Sequence, residues 1–420
     1  MSVLVIDSVM GSSKTTNMIG FMKQNPDKRY LYISPFKSEV GDGNTGEKGR
    51  IQESLPDMFP AISMPKNLGD GKLGSLKSLL KMGMDIATTH SLFCRFDDEV
   101  VDLVLEGGYV VIIDEAVDCV EVKDDLTEKE IQALVNSEWI KVGDDGIVTW
   151  NDEINTGYEG RYDDVKQLAN TGGLRLFNSK YLIVEYPPRL LQEVKECYIM
   201  SYLFENGLMS CWMKANGIDY SYADLEAFGI EKPSVLKQRI REQLTVLGCR
   251  KLDNKYNREE HFKYRYSSSW YKKNSTVAER LEVKKALESC VSNHKTTDSM
   301  VFWTTFKDQR ERLEGKGYKK GFVQPDTGEE LPSFLPYNIK AVNDYRHHDL
   351  VMHTVNLFRN PVEVQYFKWR GVEFNEEQWA LSELLQFIWR ARIRQGQPTK
   401  VLVISKRMRK LLTDWLEEDK

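Results

Sequence analysis

Apolar positions in the first half of the chain fall into short continuous runs separated by stretches with helical spacing. Residues 3–7 form such a run and predict a strand, followed by a glycine-containing turn and a helix over residues 15–23. Runs at 30–34, 85–89 and 109–113 predict three further strands, the last apolar almost throughout. Strands buried on both faces of a parallel sheet read this way. Runs at 181–185 and 197–201 add two more. Strands alternating with helices imply right-handed crossovers and a doubly wound sheet.

Residues 41–74, rich in glycine and proline, predict a long surface excursion, and residues 143–173 predict a second. Polarity rises and the strand signals blur between 226 and 273, which places a boundary near Lys232. The first lobe is then 1–231 and the second 232–420. The second carries predicted strands at 300–304, 350–355 and 400–405, and predicted helices at 361–370, 376–392 and 406–418. The expected fold class is α/β, with two RecA-like doubly wound parallel-sheet lobes and a nucleotide site at their interface.

Composition narrows the class. At 420 residues, 41% apolar and 29% charged, the chain reads as a globular protein of two domains, each long enough to bury a core. No apolar run reaches about 18 residues, so no membrane span is expected. The N-terminus has no basic segment ahead of its apolar run and is not read as a signal peptide. Six scattered cysteines without a C-x-x-C pair point to reduced thiols and a cytoplasmic location. The net charge of −5 gives no global basic field, so a nucleic-acid partner would need a local groove.

The strongest chemical signal is Asp7-Ser-Val-Met-Gly-Ser-Ser-Lys-Thr-Thr16, placed after a predicted strand and opening a helix. A phosphate loop requires that context, because backbone N–H groups of the turn and helix end cradle an anion. Gly11, Ser12, Ser13, Lys14, Thr15 and Thr16 are the candidate nucleotide-binding residues. Lys14 would reach the β- and γ-phosphates, and Thr15 would offer its hydroxyl to Mg²⁺. The pattern departs from G-x-x-x-x-G-K-[ST] at Ser8 and Ser13, both usually glycine. A Gly-Ser turn capping a helix through Ser12 or Ser13 is the plainer alternative. A second signal weakens that alternative. Tyr109-Val-Val-Ile-Ile-Asp-Glu-Ala116 is an apolar strand ending in adjacent carboxylates, which are unfavourable together without a cation. Asp114 would hold Mg²⁺ and Glu115 would orient and deprotonate an attacking water.

In the second lobe, Trp379-Ala-Leu-Ser-Glu-Leu-Leu-Gln-Phe-Ile-Trp-Arg-Ala-Arg-Ile-Arg-Gln-Gly396 places Gln386 and Arg390 four residues apart, with Arg394 following. The segment resembles motif VI of superfamily 2 helicases, Q-x-x-G-R-x-x-R, with Trp389 in the glycine position and Arg394 one residue late. It is closer to the helicase-like proteins of tailed bacteriophages and their ALSELLQ-x-x-WRS-x-IR-x-G stretch, with Ala391 in place of serine. Ser34-Pro-Phe36 resembles motif Ia, Ala87-Thr-Thr-His-Ser-Leu-Phe93 motif Ib, and Ile199-Met-Ser-Tyr-Leu-Phe204 falls where motif III would lie. Asn343-Asp-Tyr345 and Asn356 resemble a stretch near motif V. The resemblance spans nearly the whole chain, and motifs I, II and VI are its specific parts. It implies ATP as substrate, with Mg²⁺, and a helicase or translocase acting on DNA in preference to RNA beside phage replication or recombination proteins. Arg390, Arg394 and Gln386 join Glu115 as catalytic candidates, the arginines stabilising charge on the transferred phosphoryl group. A basic solvated helix end is the alternative for them.

Two segments are candidates for nucleic-acid contact. His261-Phe-Lys-Tyr-Arg-Tyr-Ser-Ser-Ser-Trp-Tyr-Lys-Lys273 interleaves rings with cations, which suits stacking on bases and tracking of phosphates; Lys263, Arg265, Trp270 and Lys272 are its candidates. A half-exposed strand with alternating faces fits slightly better. Thr88, Thr89 and His90 follow a predicted strand at the sheet edge where first lobes of superfamily 2 touch the strand backbone; a local turn is the alternative. His347, His348 and His353 lack metal-ligand spacing. Two other functions stay open: a packaging-terminase ATPase, disfavoured by the arginine-bearing helix, and a nucleotide-binding loader or regulator with little turnover, kept open by Ser13.

Overall fold

The computed structural model describes residues 2–55, 61–256, 263–324, 327–339 and 344–418. It is a mixed α/β protein of two compact units, each built on its own parallel sheet. The first comprises Met1–Ser8, Ser13–Ile230 and Arg359–Asn375; the second comprises Val9–Ser12, Glu231–Phe358 and Glu376–Lys420.

In the first unit six parallel strands lie in the order Tyr220–Tyr222, Ser2–Asp7, Glu196–Ser201, Val110–Asp114, Tyr30–Ser34, Ile86–Thr89. Val110–Asp114 and Tyr30–Ser34 are buried at every position, which is why they read as apolar runs and not as alternations. Met18, Ile19 and Met22 of the Lys14–Gln24 helix share a core with Ile6, Tyr30, Ile112 and Met200. Register pairs Asp7 with Ser201 and Met200 with Asp114. The strand before the phosphate-loop sequence and the strand ending in Asp114 therefore open on one carboxyl edge, where open parallel sheets bind ligands.

Four expectations change in this unit. Tyr181–Glu185 is a strand, but it pairs antiparallel with Val120–Lys123 and Leu174–Phe177 outside the parallel sheet. With the Ile140–Val142 and Val148–Trp150 hairpin it belongs to a module whose own core contains Ile131, Leu134, Trp150, Val165 and Leu182. Residues 143–173, expected as an excursion, thus hold a strand and the Asp163–Asn170 helix. Residues 41–74 likewise carry the Arg50–Ser54 helix, with Ile51, Leu55 and Ile62 in the main core. Their glycines mark close backbone crossings: a Cβ on Gly49 would lie 2.4 Å from the Glu39 carbonyl oxygen and the Gly41 nitrogen. Finally, the Pro361–Trp369 helix belongs to the first unit and not to the second-lobe fold. Arg370 at its end pairs with Glu185 at 2.8 Å, and Arg175 donates to the same carboxylate at 2.5 Å. A glutamate that is 4% exposed is stable as an anion only with such partners.

The second unit carries four parallel strands in the order Leu244–Leu247, Thr399–Val403, Leu350–His353, Val301–Thr304. Leu244–Leu247 is a short edge strand hidden in the polar stretch. Residues 263–274 do not form a strand: they turn and end in the π-helical segment Trp270–Asn274. Tyr266, Trp270 and Tyr271 pack in the core with Leu287 and Trp303. His261, Phe262 and Asn343 lie outside the described residues. Among the described residues no helix is long and apolar enough to cross a membrane.

Candidate nucleotide site

The Ser2–Asp7 strand ends on a carboxylate that accepts the N–H groups of Leu203 at 2.8 Å and Phe204 at 3.1 Å. Burial pushes the Asp7 carboxyl up, and those two donors oppose it. The chain then turns through Gly11 at φ 81° and Ser13 at φ 63°. Both are left-handed, a region that disfavours a Cβ by about 1–2 kcal/mol. That is the physical reason for glycine at the Ser13 position in related loops, and Ser13 occupies it as a strained residue. The Ser12 N–H closes the turn on the Val9 carbonyl at 3.2 Å. The hydroxyls of Ser8 and Ser12 are buried with no partner among the described residues. The Lys14–Gln24 helix starts without an acidic residue in its first turn, so no side chain of that turn offsets the partial positive charge of its N–H groups.

Lys14 is buried, and its Nζ donates to the Ser8 carbonyl at 2.5 Å. Burial lowers its pKa, while the carboxylates of Glu115, Asp114 and Asp7 raise it. Asp114 ends the Val110–Asp114 strand, which is separated from the Ser2–Asp7 strand by Glu196–Ser201. Its Oδ2 receives the Tyr32 hydroxyl at 2.8 Å and lies 3.4 Å from the Thr15 hydroxyl. Burial, then the Glu115 carboxylate, push the Asp114 carboxyl up to about 7. Glu115 is half-buried at φ 64°, with its N–H on the Met200 carbonyl at 2.9 Å. Left-handed backbone at a glutamate stores strain of the order of 1–3 kcal/mol and concentrates at functional sites.

This donor set fits Mg²⁺ as such sites are usually built. Two cis oxygens of an octahedron with bonds of about 2.1 Å lie about 3 Å apart, and Mg²⁺ commonly takes one or two protein oxygens with substrate phosphates and water. Thr15 and Asp114 would supply those two oxygens. Among the described residues no group of three or more His, Cys, Asp or Glu side chains is placed to hold a metal ion.

The remaining candidates separate. Thr88 is buried, Thr89 caps the His90–Phe93 turn through the Leu92 N–H at 3.4 Å, and His90 Nε2 lies 2.9 Å from the Asp114 carbonyl oxygen. The helix expected over 376–392 stops at Ile388, and Ala391 is extended before a 3₁₀ turn over Arg392–Gln395. Arg390 and Arg394 therefore do not share a helix face. Arg390 is buried, donating to the Gln386 carbonyl at 3.0 Å and to the Ile339 carbonyl. Arg394 is exposed, and Gln386 is half-buried. Ala391 caps the turn without a side-chain bond, where the serine of the phage pattern would supply one.

In the aromatic stretch, Lys263 and Lys272 are exposed, whereas Arg265 pairs with Glu279 at 3.0 Å and Trp270 is 7% exposed. Asn356, noted near motif V, holds the carbonyls of Lys263 at 2.6 Å and Arg265 at 2.9 Å.

Three residues beside the phosphate turn escape sequence reasoning: Asp7, Tyr32 and Arg50. Tyr32 alone carried a signal, since a tyrosine in a fully buried strand must find a hydrogen-bond partner.

Residues 239–416 match the family model described as the YonV C-terminal Rossmann-like domain, and residues 120–184 match the YonV middle domain. The second span coincides with the antiparallel module and its separate core. Among solved structures, the DUF1998 helicase MrfA bound to DNA aligns with a TM-score of 0.38 at 10% identity, covering 99% of this chain and 46% of that one. Across its whole length the chain is similar to the SPbeta prophage-derived protein YonV of Bacillus subtilis (strain 168): 33% identical over 430 residues, covering 100% of this chain and 99% of its relative. The chain belongs to the YonV family.

Proposed function

We propose that this protein is an ATP hydrolase with two RecA-like lobes that acts on nucleic acid as a helicase or translocase. The observation that carries the reading is the convergence of Lys14, Thr15, Asp114 and Glu115 at one sheet edge, from segments about a hundred residues apart. Lys14 and the first turn of its helix bind the phosphates. Thr15 and Asp114 hold Mg²⁺, which when bound neutralises charge on the phosphate oxygens. Glu115, the one carboxylate of the pair that is half-exposed, orients the attacking water and takes its proton. Arg394, exposed on its 3₁₀ turn, is assigned to charge stabilisation during transfer.

Nucleic acid is the proposed partner, DNA in preference to RNA. The support is the motif resemblance and the His90 ring on the Asp114 carbonyl, which joins the candidate strand-contact segment to the carboxylate strand. A prophage-derived relative suits a role in phage DNA metabolism. The test is nucleotide binding and turnover in Glu115→Gln. The variant is expected to bind Mg²⁺-ATP as the wild type does while losing turnover by at least about 10²-fold. Wild-type turnover in that variant removes Glu115 as the base.

A further inference from the structure

The segment between the second and third strands of the first unit brings a cation to the phosphate helix. The Arg50 guanidinium donates to the Thr16 hydroxyl at 2.7 Å and lies 3.4 Å from Oε1 of Glu39. Thr16 stands in the first turn of the Lys14–Gln24 helix. We propose that Arg50 is a second phosphate-binding cation of the nucleotide site, and that Glu39 is a competing anion which releases it when a triphosphate arrives. The proposal rests on the nucleotide-binding reading above and adds to it a residue and a control.

Three observations support it. The first is charge. Glu115, Asp114 and Asp7 act on Lys14, the one cation in the phosphate-loop sequence, and Glu39 adds its charge beside Asp114. A triphosphate adds further negative charge, and Arg50 is a cation already bonded to the helix that receives it. A guanidinium fork matches phosphate oxygens bidentately, and its side chain is 40% exposed, so it has N–H groups to offer.

The second is preorganisation. Arg50 opens a helix whose cap, Gly49, is crossed so closely that a Cβ would meet the Glu39 carbonyl and the Gly41 nitrogen at 2.4 Å. The Gln52 side chain accepts the Gly49 N–H at 2.8 Å and donates to the Ile62 carbonyl at 3.1 Å. Ile51, fully buried, pins the next residue. A loop braced this way delivers its side chain at low entropic cost.

The third is Glu39 itself. It is 8% exposed, its Oε2 has no hydrogen-bond partner among the described residues, and its Oε1 meets Arg50 only at 3.4 Å. A buried carboxylate so poorly satisfied depends on the guanidinium, so a phosphate that takes Arg50 must meet the cost of leaving Glu39 unpaired. A triphosphate offers the fork several open oxygens, and that cost is what Glu39 sets against it.

The test measures Kd for Mg²⁺-ATP and for Mg²⁺-tripolyphosphate, with melting temperatures, in the wild type, Arg50→Met, Arg50→Lys and Glu39→Gln. Methionine keeps the apolar stem and removes the fork. The expected result is a loss of about tenfold or more for both ligands in Arg50→Met, part of it recovered in Arg50→Lys, at little change in melting temperature. Glu39→Gln is expected to tighten both ligands. Wild-type affinity in Arg50→Met overturns the proposal, as does a loss confined to ATP, which would place Arg50 on the nucleoside. Weaker binding in Glu39→Gln overturns the competing role, since a mere brace would lose and never gain. If the wild type binds neither ligand, the nucleotide reading itself fails and this proposal falls with it.

Discussion

Thr15 and Asp114 stand 99 positions apart in the chain, and their side-chain oxygens lie 3.4 Å from each other. The sheet makes this contact: one residue opens the helix after the first strand, and the other ends a strand one place removed from it. The arrangement is costly without a cation, because burial and Glu115 both oppose ionisation of Asp114. Asp114→Asn is therefore expected to melt at a higher temperature than the wild type in the absence of nucleotide, since binding sites retain strain that substitution relieves. The same variant should lose the Mg²⁺ dependence of nucleotide binding. A lower melting temperature with Mg²⁺-dependent binding intact would place Asp114 among structural residues.

Arg390 and Arg394 separate into different kinds of residue. Arg390 donates to two backbone carbonyls from a buried position, so Arg390→Ala should cost about 1–3 kcal/mol of stability by leaving acceptors unpaired. Arg394→Ala should change stability by no more than about 0.5 kcal/mol and lower kcat by about 10²-fold or more. Chemical denaturation and steady-state kinetics on both variants check this. A large stability loss in Arg394→Ala with unchanged kcat would reverse the assignment.

The parts of this site that lie within a few residues of one another are legible in the sequence. A strand, a glycine turn and Lys14-Thr15 follow in order, and so do an apolar run and Asp114-Glu115. What is not legible depends on partners far along the chain. Arg50 reaches the site only through the fold, and Tyr32, whose buried hydroxyl calls for a partner, finds Asp114 only there. The Tyr181–Glu185 run is as apolar as those of the parallel sheet, and nothing local tells it to pair antiparallel. The helix break after Ile388 leaves no trace either, because no glycine or proline occurs between Glu376 and Gly396. In the stretch from Lys263 to Lys273, rings and cations alternate as they do in a strand. The chain resolves that ambiguity by burying Tyr266, Trp270 and Tyr271 in the core and leaving Lys263, Lys272 and Lys273 outside.

His353 gives the second unit a pH-dependent stability. It is fully buried at the end of the Leu350–His353 strand, and neither ring nitrogen has a partner among the described residues. Burial pushes its pKa down to about 3, and His348 is likewise pushed down to about 3. An unfolded histidine titrates near 6.5, so between about 6.5 and about 3 the unfolded chain binds protons that the folded chain refuses. Stability falls as pH falls through that window. His353→Leu removes one such proton and two unsatisfied nitrogens. It should raise the melting temperature at pH 7 and raise it further at pH 5. An equal shift at both values would show that His353 titrates normally in the folded state.

The central claim is ATP hydrolysis coupled to nucleic acid, and the most direct measurement is steady-state ATP turnover against added single-stranded DNA, duplex DNA and RNA at low and moderate salt. Nucleic acid should raise turnover by favouring the conformation that hydrolyses ATP. The effect should weaken as salt rises, because phosphate contacts release counterions. Lys14→Ala should abolish the stimulated rate. The expected result is a saturable rise, larger with DNA than with RNA. Turnover that stays flat with every ligand, together with no binding to any of them at low salt, would contradict it and leave a nucleotide-binding protein whose partner is another protein.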